Sequence, residues 1–145
     1  DLLNGHGGNE LKPFLRELHH RTGVFLSLCN WYQMAADVYP TLFKAPGEHA
    51  DEVETSLGLA LFPQFMKPEL ADCGAVRPTR FEAINKGWVS ITRPWHLATT
   101  NTGMGDPSAG TPEKGHRLVE ILTKRLGEYL LQLAKSDANE SQIPY

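Results

Sequence analysis

The sequence has few of the features that mark disulfide-rich, zinc-finger or membrane proteins. Its two cysteines, Cys29 and Cys73, form no CxxC motif, so the sequence predicts neither a disulfide framework nor a zinc knuckle. No apolar run approaches the roughly 20 residues that cross a bilayer, and the N-terminus lacks the basic and then apolar pattern of a signal peptide. We therefore expect a soluble protein of the reducing cytoplasm, with no membrane partner.

An excess of positive charge is also missing. The formal net charge is -3, the isoelectric point is near 6.1, and the basic residues are dispersed instead of gathered into a stripe. A nucleic-acid partner is therefore not expected. The 145 residues, of which 41% are hydrophobic, suffice for one domain with its own core.

Strands and helices are predicted to alternate in the first part of the chain. Residues 1–3 look like the end of a buried strand, residues 9–20 have apolar positions at helical spacing, and residues 24–32 are β-branched and aromatic. Together they predict a βαβ unit. Because the chain begins within what looks like a core strand, we expect a fragment or a processed half of a longer protein.

Two further helices are predicted in the rest of the chain. Apolar residues recur at helical spacing over residues 50–62 until Pro63 ends the run. A short strand is predicted within residues 87–95. The last helix is predicted over residues 111–135, with inward side chains at positions 118, 121, 122, 126, 130 and 133. Residues 136–145 are polar and expected to fray, and the alternation indicates an α/β layered fold.

His6 lies in the glycine-rich segment NGHGGN, directly after the first predicted strand. The active crevice of an open α/β sheet lies at the carboxyl ends of its strands, so this location suits a metal ligand or a general base. A tight turn, whose histidine caps a helix or forms a local hydrogen bond, is the alternative. The segment matches neither GxxxxGK nor GxGxxG, so a phosphate-binding loop is not predicted.

Glu54 is predicted to lie on the apolar face of the helix over residues 50–62, whereas Asp51 and Glu52 are predicted to point away. An unpaired buried carboxylate costs several kcal/mol, so Glu54 is expected to meet a lysine, an arginine or a metal ion. Three arginines could supply that charge: Arg77, Arg80 and Arg93.

Glu48 and His49 are adjacent at the start of that helix. An acidic residue there is commonly a helix cap, but histidine is the side chain best suited to proton transfer near neutral pH. The turn-rich residues 99–115 could order over a site through Asp106 and Lys114, or could form turns without a function.

Three segments of the sequence resemble the creatininase (creatinine amidohydrolase) family of binuclear metal hydrolases. They are NGHGGN at residues 4–9, EHADEVETSLGLALFP at residues 48–63 and GDPSAGTPEKG at residues 105–115, in the family's order and spacing. The resemblance implies a three-layer α/β/α fold. Residues 1–145 would be the C-terminal portion of one such domain, which lacks its N-terminal part.

The resemblance also implies an active site. It predicts hydrolysis of an amide, a cyclic amide or a related small ring by a metal-activated water, with two ions of zinc, manganese or iron. His6 and Glu54 correspond to metal ligands, and His49 with Glu48 corresponds to the catalytic pair. Three residues are the substrate-binding candidates: Trp31, Asn9 and Asp106. Trp31 could equally be core packing.

The sequence departs from the family's pattern in three places. The family's Glu-x-His segment and bridging aspartate are missing, so the chain is expected to hold part of the site. Gly8 stands where creatininase has a glutamate, and Ala45 stands where it has a tryptophan. With Gly8, one metal must be held differently, and Glu54 is the candidate for that ligand. With Ala45, creatinine is not the expected substrate.

Several functional alternatives stay open at this level. Members of the family include a peptidase and an inosose hydrolase, so a peptide or a cyclic ketone is an alternative substrate. Another alternative is a catalytically incomplete fragment or assembly subunit without bound metal. Because the family usually forms hexamers, a homo-oligomer acting on a small molecule is expected.

Overall fold

The computed structural model describes residues 1–136 of the chain. Apart from Ser136, the tail that is expected to fray lies outside the described residues. The described residues form two compact units, residues 1–38 with 118–136 and residues 39–117. Across residues 1–136, no helix combines the length and the apolar character needed to cross a membrane.

The first unit contains the predicted βαβ connection. Strand β1 (Leu2–Asn4) pairs in parallel with strand β2 (Leu28–Asn30), with Leu2 opposite Leu28. Helix α1 (Lys12–Leu18) lies between them in sequence. The βαβ unit is confirmed, although both its helix and its second strand are shorter than predicted.

Strand β2 ends early because a helical turn follows it at once. Helix α2 (Trp31–Met34) begins directly after Asn30, whose own backbone is still extended. Trp31 is therefore the first residue of a helix, whereas the sequence pattern placed it in the strand. A 3₁₀ turn at His19–Arg21 extends α1, which accounts for the longer helix that apolar spacing predicted.

The second unit is built from short helices, turns and loops. Its helices are α3 (Tyr39–Leu42), α4 (Glu52–Leu61), α5 (Glu82–Asn85) and α6 (Trp95–Ala98), and its 3₁₀ turns are Pro63–Phe65 and Pro68–Leu70. Helix α4 confirms the helix predicted over residues 50–62. It ends at Leu61 because Pro63 cannot continue the backbone hydrogen-bond pattern.

The strand predicted within residues 87–95 is wrong. The described structure has no strand there, since the backbone N–H groups of Trp88 and Val89 both donate to the carbonyl oxygen of Ala83, at 2.9 and 3.1 Å. A run of β-branched and aromatic residues becomes a strand only where a neighbouring backbone pairs with it. Here the N–H groups of Trp88 and Val89 are used by the turn after α5, so they are not available to a neighbouring strand.

The turn-rich segment 99–105 is held by backbone pairing with residues 73–77. Val76 and Thr99 form an antiparallel bridge, and the N–H of Gly74 donates to the carbonyl oxygen of Gly105 at 2.9 Å. Gly74 lies so close to the backbone of Gly103 that an added Cβ would come within 2.3 Å of its carbonyl carbon. The segment is therefore an ordered loop.

The long C-terminal helix α7 (Pro112–Lys135) confirms the predicted one. Its first turn is capped by Thr111, whose Oγ1 accepts from the N–H of Lys114 at 3.3 Å. Leu118 is fully buried, as its inward position predicts, but Leu130 is 42% exposed. The inward prediction is thus correct for Leu118 and wrong for Leu130.

Candidate functional site

The loop that carries His6 is organised by the buried side chain of Asn4. The Oδ1 atom of Asn4 accepts from the backbone N–H of His6 at 3.2 Å and from the Nδ2 of Asn9 at 3.1 Å. Its Nδ2 donates to the Oδ1 of Asn30 on β2 at 2.9 Å. The loop therefore has a fixed backbone, and Asn9, a predicted substrate-binding residue, is part of its scaffold.

The imidazole of His6 is exposed at the surface of this loop. A Cβ on Gly8 would lie 2.9 Å from its Nε2 atom, so the absence of a side chain at position 8 leaves the ring its room. Within residues 1–136, the structure gives the imidazole no hydrogen bond and no ion pair. Both ring nitrogens are thus accessible to a ligand.

Trp31 belongs to the same unit. Its indole Nε1 donates to the carbonyl oxygen of Gly5 at 3.2 Å, and its ring meets the ring of Tyr32 edge to face at 6.1 Å between centroids. Both rings are half-buried. Trp31 therefore braces the glycine-rich loop and keeps part of its ring exposed.

His49 in the second unit is held on three sides. Its Nδ1 lies 3.3 Å from the Oε2 of Glu54, and its ring centroid lies 5.5 Å from that of Trp95, with the two rings nearly perpendicular at 85°. Its backbone forms an antiparallel bridge with Met104, whose N–H donates to the His49 carbonyl oxygen at 2.8 Å. One nitrogen of the ring, Nε2, is left without a partner in the part of the chain that is described.

The predicted orientation of the acids around α4 is wrong. Asp51 and Glu52 are buried at 3% and 0% exposure, whereas the side chain of Glu54 is 42% exposed. Asp51 is the N-cap, since its Oδ1 accepts from the N–H of Glu54 at 2.8 Å. Glu54 turns back over the helix start, where its Oε2 accepts from the N–H of Ala50 at 2.6 Å. The capping geometry thus overrides the apolar periodicity.

The buried carboxylate that needs a cation is Glu52. Lys114 forms an ion pair with it, and the N–H groups of Lys44 and Ala45 each donate to its Oε2 at 2.8 Å. Burial by itself would raise the pKa of Glu52, but these hydrogen bonds outweigh that effect and hold its pKa below the ordinary value. The expected positive partner is Lys114, but it pairs with Glu52 and not with Glu54, for which a positive partner was predicted.

Glu48 and Asp106 flank the same region. The side chain of Glu48 is exposed, and its backbone N–H donates to the carbonyl oxygen of Met104 at 2.9 Å, so the cap predicted for it belongs to Asp51. The Oδ1 of Asp106 accepts from the N–H of Ser108 at 2.9 Å. Hydrogen bonds from the Ser108 side chain and backbone lower the pKa of Asp106. Asp106 therefore orders its own turn.

Sequence reasoning missed two residues that contact His49. Trp95 follows Pro94 in a segment without clear periodicity, and Met104 lies in a glycine-rich loop. Both residues are far from His49 in the sequence, so no local pattern predicts their contacts with it. A tryptophan directly after a turn-forming proline was the available signal.

The described residues do not complete a metal site by themselves. Across residues 1–136, no three histidine, cysteine, aspartate or glutamate side chains are grouped closely enough to hold a metal ion. Structural and catalytic metal sites in proteins generally use three or more such ligands. The described residues therefore supply individual candidate ligands but no complete set of ligands for a metal ion.

A family model described as creatininase, creatinine amidohydrolase, matches residues 2–130. The chain belongs to the creatininase family. A 3-dehydro-scyllo-inosose hydrolase of Thermotoga maritima is 39% identical over an alignment of 79 positions, which covers 48% of this chain and 25% of that protein. The family model and this relative both carry the names of hydrolases.

Solved structures of the family share the fold. A candidate creatinine amidohydrolase of Bacteroides fragilis is 31% identical, with a TM-score of 0.83 over 95% of this chain and 55% of that one. A mutant creatininase in complex with creatine is 18% identical, with a TM-score of 0.64 over 93% and 56%. The chain spans about half the length of these solved structures. The creatininase-like α/β fold is thereby confirmed.

Proposed function

We propose that this chain carries the proton-transfer residues of a hydrolase that cleaves an amide, a cyclic amide or a cyclic ketone in a small molecule. The observation that carries the proposal is the position of His49 between Glu54 and Trp95. A carboxylate 3.3 Å from Nδ1 favours the tautomer with the proton on Nδ1. The lone pair of Nε2 is then available as a base.

The chemistry of the proposed step is general base and then general acid catalysis by one imidazole. Water adds through its oxygen to the substrate carbonyl carbon, and its proton passes to Nε2 of His49. The bond from that carbon to the leaving nitrogen or carbon then breaks, and the same proton passes to the leaving atom. Glu54 stabilises the imidazolium that exists between the two transfers, and the exposed carboxylate of Glu48 is proposed to orient the water.

The substrate class follows from the relatives. The curated relative is a 3-dehydro-scyllo-inosose hydrolase, and one structural relative was solved with creatine. Both names refer to small polar molecules, so we propose a small-molecule substrate for this chain as well. Trp31, Asn9 and Asp106 stay the proposed substrate-binding residues, although Asn9 and Asp106 also order their own loops.

The decisive experiment is hydrolysis of 3-dehydro-scyllo-inosose and of creatinine by the purified protein. We expect turnover of the inosose, and we expect His49→Gln to lower kcat by about 10²- to 10⁴-fold because general acid-base catalysis is lost. Exposed His20 in the first unit provides the control, His20→Gln, which should leave kcat unchanged. Equal activity of the His49→Gln and wild-type proteins would refute the proposed role.

A metal cofactor is a further part of the proposal. One creatininase of this fold was solved in a form with two zinc ions, and such an ion would lower the pKa of a bound water and polarise the carbonyl. His6, whose ring nitrogens are accessible, and Glu54, through Oε1, are the proposed ligands, with zinc, manganese and iron all open.

Metal content tests this part separately. Inductively coupled plasma analysis should find about two metal ions per complete site, and His6→Gln should lower that content. After chelation of the metal, the variant and the wild-type protein should have the same free energy of unfolding, because the His6 ring has no partner within residues 1–136. Protein without any bound metal would instead favour the alternative, a catalytically incomplete fragment or an assembly subunit. That alternative draws on the incomplete ligand set.

A further inference from the structure

Trp95 is the large side chain beside His49 that neither the sequence pattern nor the proposed step uses. It is 43% exposed, and its ring meets the imidazole at 85° with 5.5 Å between centroids. This edge-to-face geometry is the favoured one for aromatic pairs. Trp95 therefore limits where the His49 ring can rotate and also keeps a free apolar surface next to it.

The indole of Trp95 is fixed by a closed set of hydrogen bonds. Its Nε1 donates to the carbonyl oxygen of Thr102 at 2.7 Å. The N–H of Thr102 in turn donates to Oγ1 of Thr99 at 3.0 Å, and that hydroxyl donates to the backbone oxygen of Trp95 at 2.9 Å. Since the N–H is already used, only the apolar ring surface of Trp95 is available to another molecule.

Both aromatic residues adjoin a strained backbone position. Ala50, directly after His49, has a φ of 51°, and Thr102, which accepts from Trp95, has a φ of 72°. Left-handed backbone is unfavourable for a residue with a Cβ and especially so for a β-branched threonine. Such strain persists where surrounding contacts over-determine the conformation. Among the described residues, these two are the non-glycine positions with positive φ, one directly after His49 and one hydrogen-bonded to the indole of Trp95.

We propose that Trp95 is a specificity-determining residue of the site, where it forms an apolar wall against which the ring of a cyclic substrate packs beside Nε2 of His49. This inference rests on the proposed function and narrows its substrate class to cyclic molecules, an inosose-type ketone or a cyclic amide. A flat or cyclic body gains contact area against a fixed indole at little cost in conformational entropy, which an extended peptide does not.

The geometry can be tested without any turnover. In a Trp95→Leu variant, the NMR resonance of the His49 ring proton at Cε1 should move, because the ring current of the indole is lost. Trp88→Leu is the matched control, since Trp88 is 72% exposed and contacts Lys86 in a cation–π pair away from His49. An unchanged His49 resonance in Trp95→Leu would overturn the proposal.

Binding and kinetics test the wall itself. The tryptophan fluorescence of the wild-type protein should change on addition of 3-dehydro-scyllo-inosose, and the change at saturation should be smaller in Trp95→Leu and unaltered in Trp88→Leu. Trp95→Leu should raise KM about tenfold, equivalent to 1.4 kcal/mol, with a smaller effect on kcat, and Trp95→Phe should recover part of the loss because it restores an aromatic ring.

The outcomes separate this inference from the proposed function. Wild-type protein that binds the inosose through Trp95 but does not hydrolyse it would contradict the proposed reaction and support the wall. Wild-type turnover that Trp95→Leu leaves unchanged, in both KM and kcat, would overturn the wall and support the reaction. A fluorescence change of full wild-type size at saturation in Trp95→Leu would also overturn the wall.

Discussion

The two histidine-bearing segments of the protein are held in opposite ways. Around His6, the backbone is fixed by the Asn4 side chain, and the ring itself has no partner within residues 1–136. Around His49, the ring is fixed, by Glu54 on one side and Trp95 on another. An imidazole that receives a ligand needs an accessible nitrogen, whereas one that moves protons benefits from a partner on its second nitrogen. The difference supports separate roles for the two histidines.

The ion pairs of the two units differ in how far their side chains are exposed to solvent. Glu52 and Lys114 in the second unit have side-chain exposures of 0% and 21%. Asp37 and Arg125 in the first unit have side-chain exposures of 64% and 36%. Burial makes the first pair hard to replace, and solvent weakens the second. The second unit therefore depends more on its ion pair.

The largest effect is expected from breaking the buried ion pair between Glu52 and Lys114. Lys114→Met should lower the free energy of unfolding by about 3–5 kcal/mol, because it leaves the Glu52 carboxylate buried without its cation. Urea unfolding measures the change. Lys86→Met removes an exposed pair with Glu82 and should cost no more than about 0.5 kcal/mol.

A second variant sharpens the cause of that loss. In the double variant Glu52→Gln with Lys114→Met, the buried charge is gone, so the protein should be more stable than with Lys114→Met alone. If the double variant is less stable than the single one, the loss comes from packing of the lysine stem and the electrostatic explanation is wrong.

A smaller effect compares the same substitution in the two histidine-bearing segments. A Cβ on Gly105 would lie 2.5 Å from the Cβ of Asp51, the N-cap of α4. Gly105→Ala should therefore cost about 1–3 kcal/mol. Gly8→Ala meets the end of the flexible His6 ring, which can swing away, so its cost should stay within about 0.5 kcal/mol. Urea unfolding measures the free energy of unfolding of both variants. An equal loss of stability in Gly105→Ala and Gly8→Ala would contradict the expected difference between the two segments.

The smallest effect concerns the pH dependence of the exposed pair. The hydrogen bond from Arg125 lowers the pKa of Asp37 below its ordinary value of 3.8. A carboxylate whose pKa is lower in the folded state stabilises the protein fully above pH 3.8 and loses that contribution as the pH falls through the folded-state pKa. Asp37→Asn should thus reduce the loss of stability on acidification. An unchanged slope of unfolding free energy against pH below 3.8 would contradict this.

Local patterns predicted the elements better than the faces of those elements. Helix α4 follows from its apolar spacing and from Pro63, and α7 follows from its leucine repeat and from Thr111. The face of α4 did not follow, because the Asp51 cap and the Glu54 contact to Ala50 turn the acids differently from the helical-wheel expectation. Capping is a local event, but which acid caps depends on where the chain enters the helix.

Some residues of the candidate site were predicted from the sequence, and others were missed. His6, Glu48, His49 and Glu54 were singled out from their local sequence context, and their roles were assigned from the resemblance to the creatininase family, which is confirmed. Their assigned roles remain predictions. Trp95 was missed because its contact with His49 spans a long stretch of sequence, and no periodicity connects the two positions.

By itself, the sequence determined the βαβ unit, the two main helices and the family, since apolar spacing, prolines and short motifs act over a few residues. Tertiary structure alone decided that Glu52 is the buried acid, that Lys114 is its cation and that Trp95 lies against His49. The physical reason is that burial and charge pairing depend on which distant segments meet, and local free energies do not encode that choice.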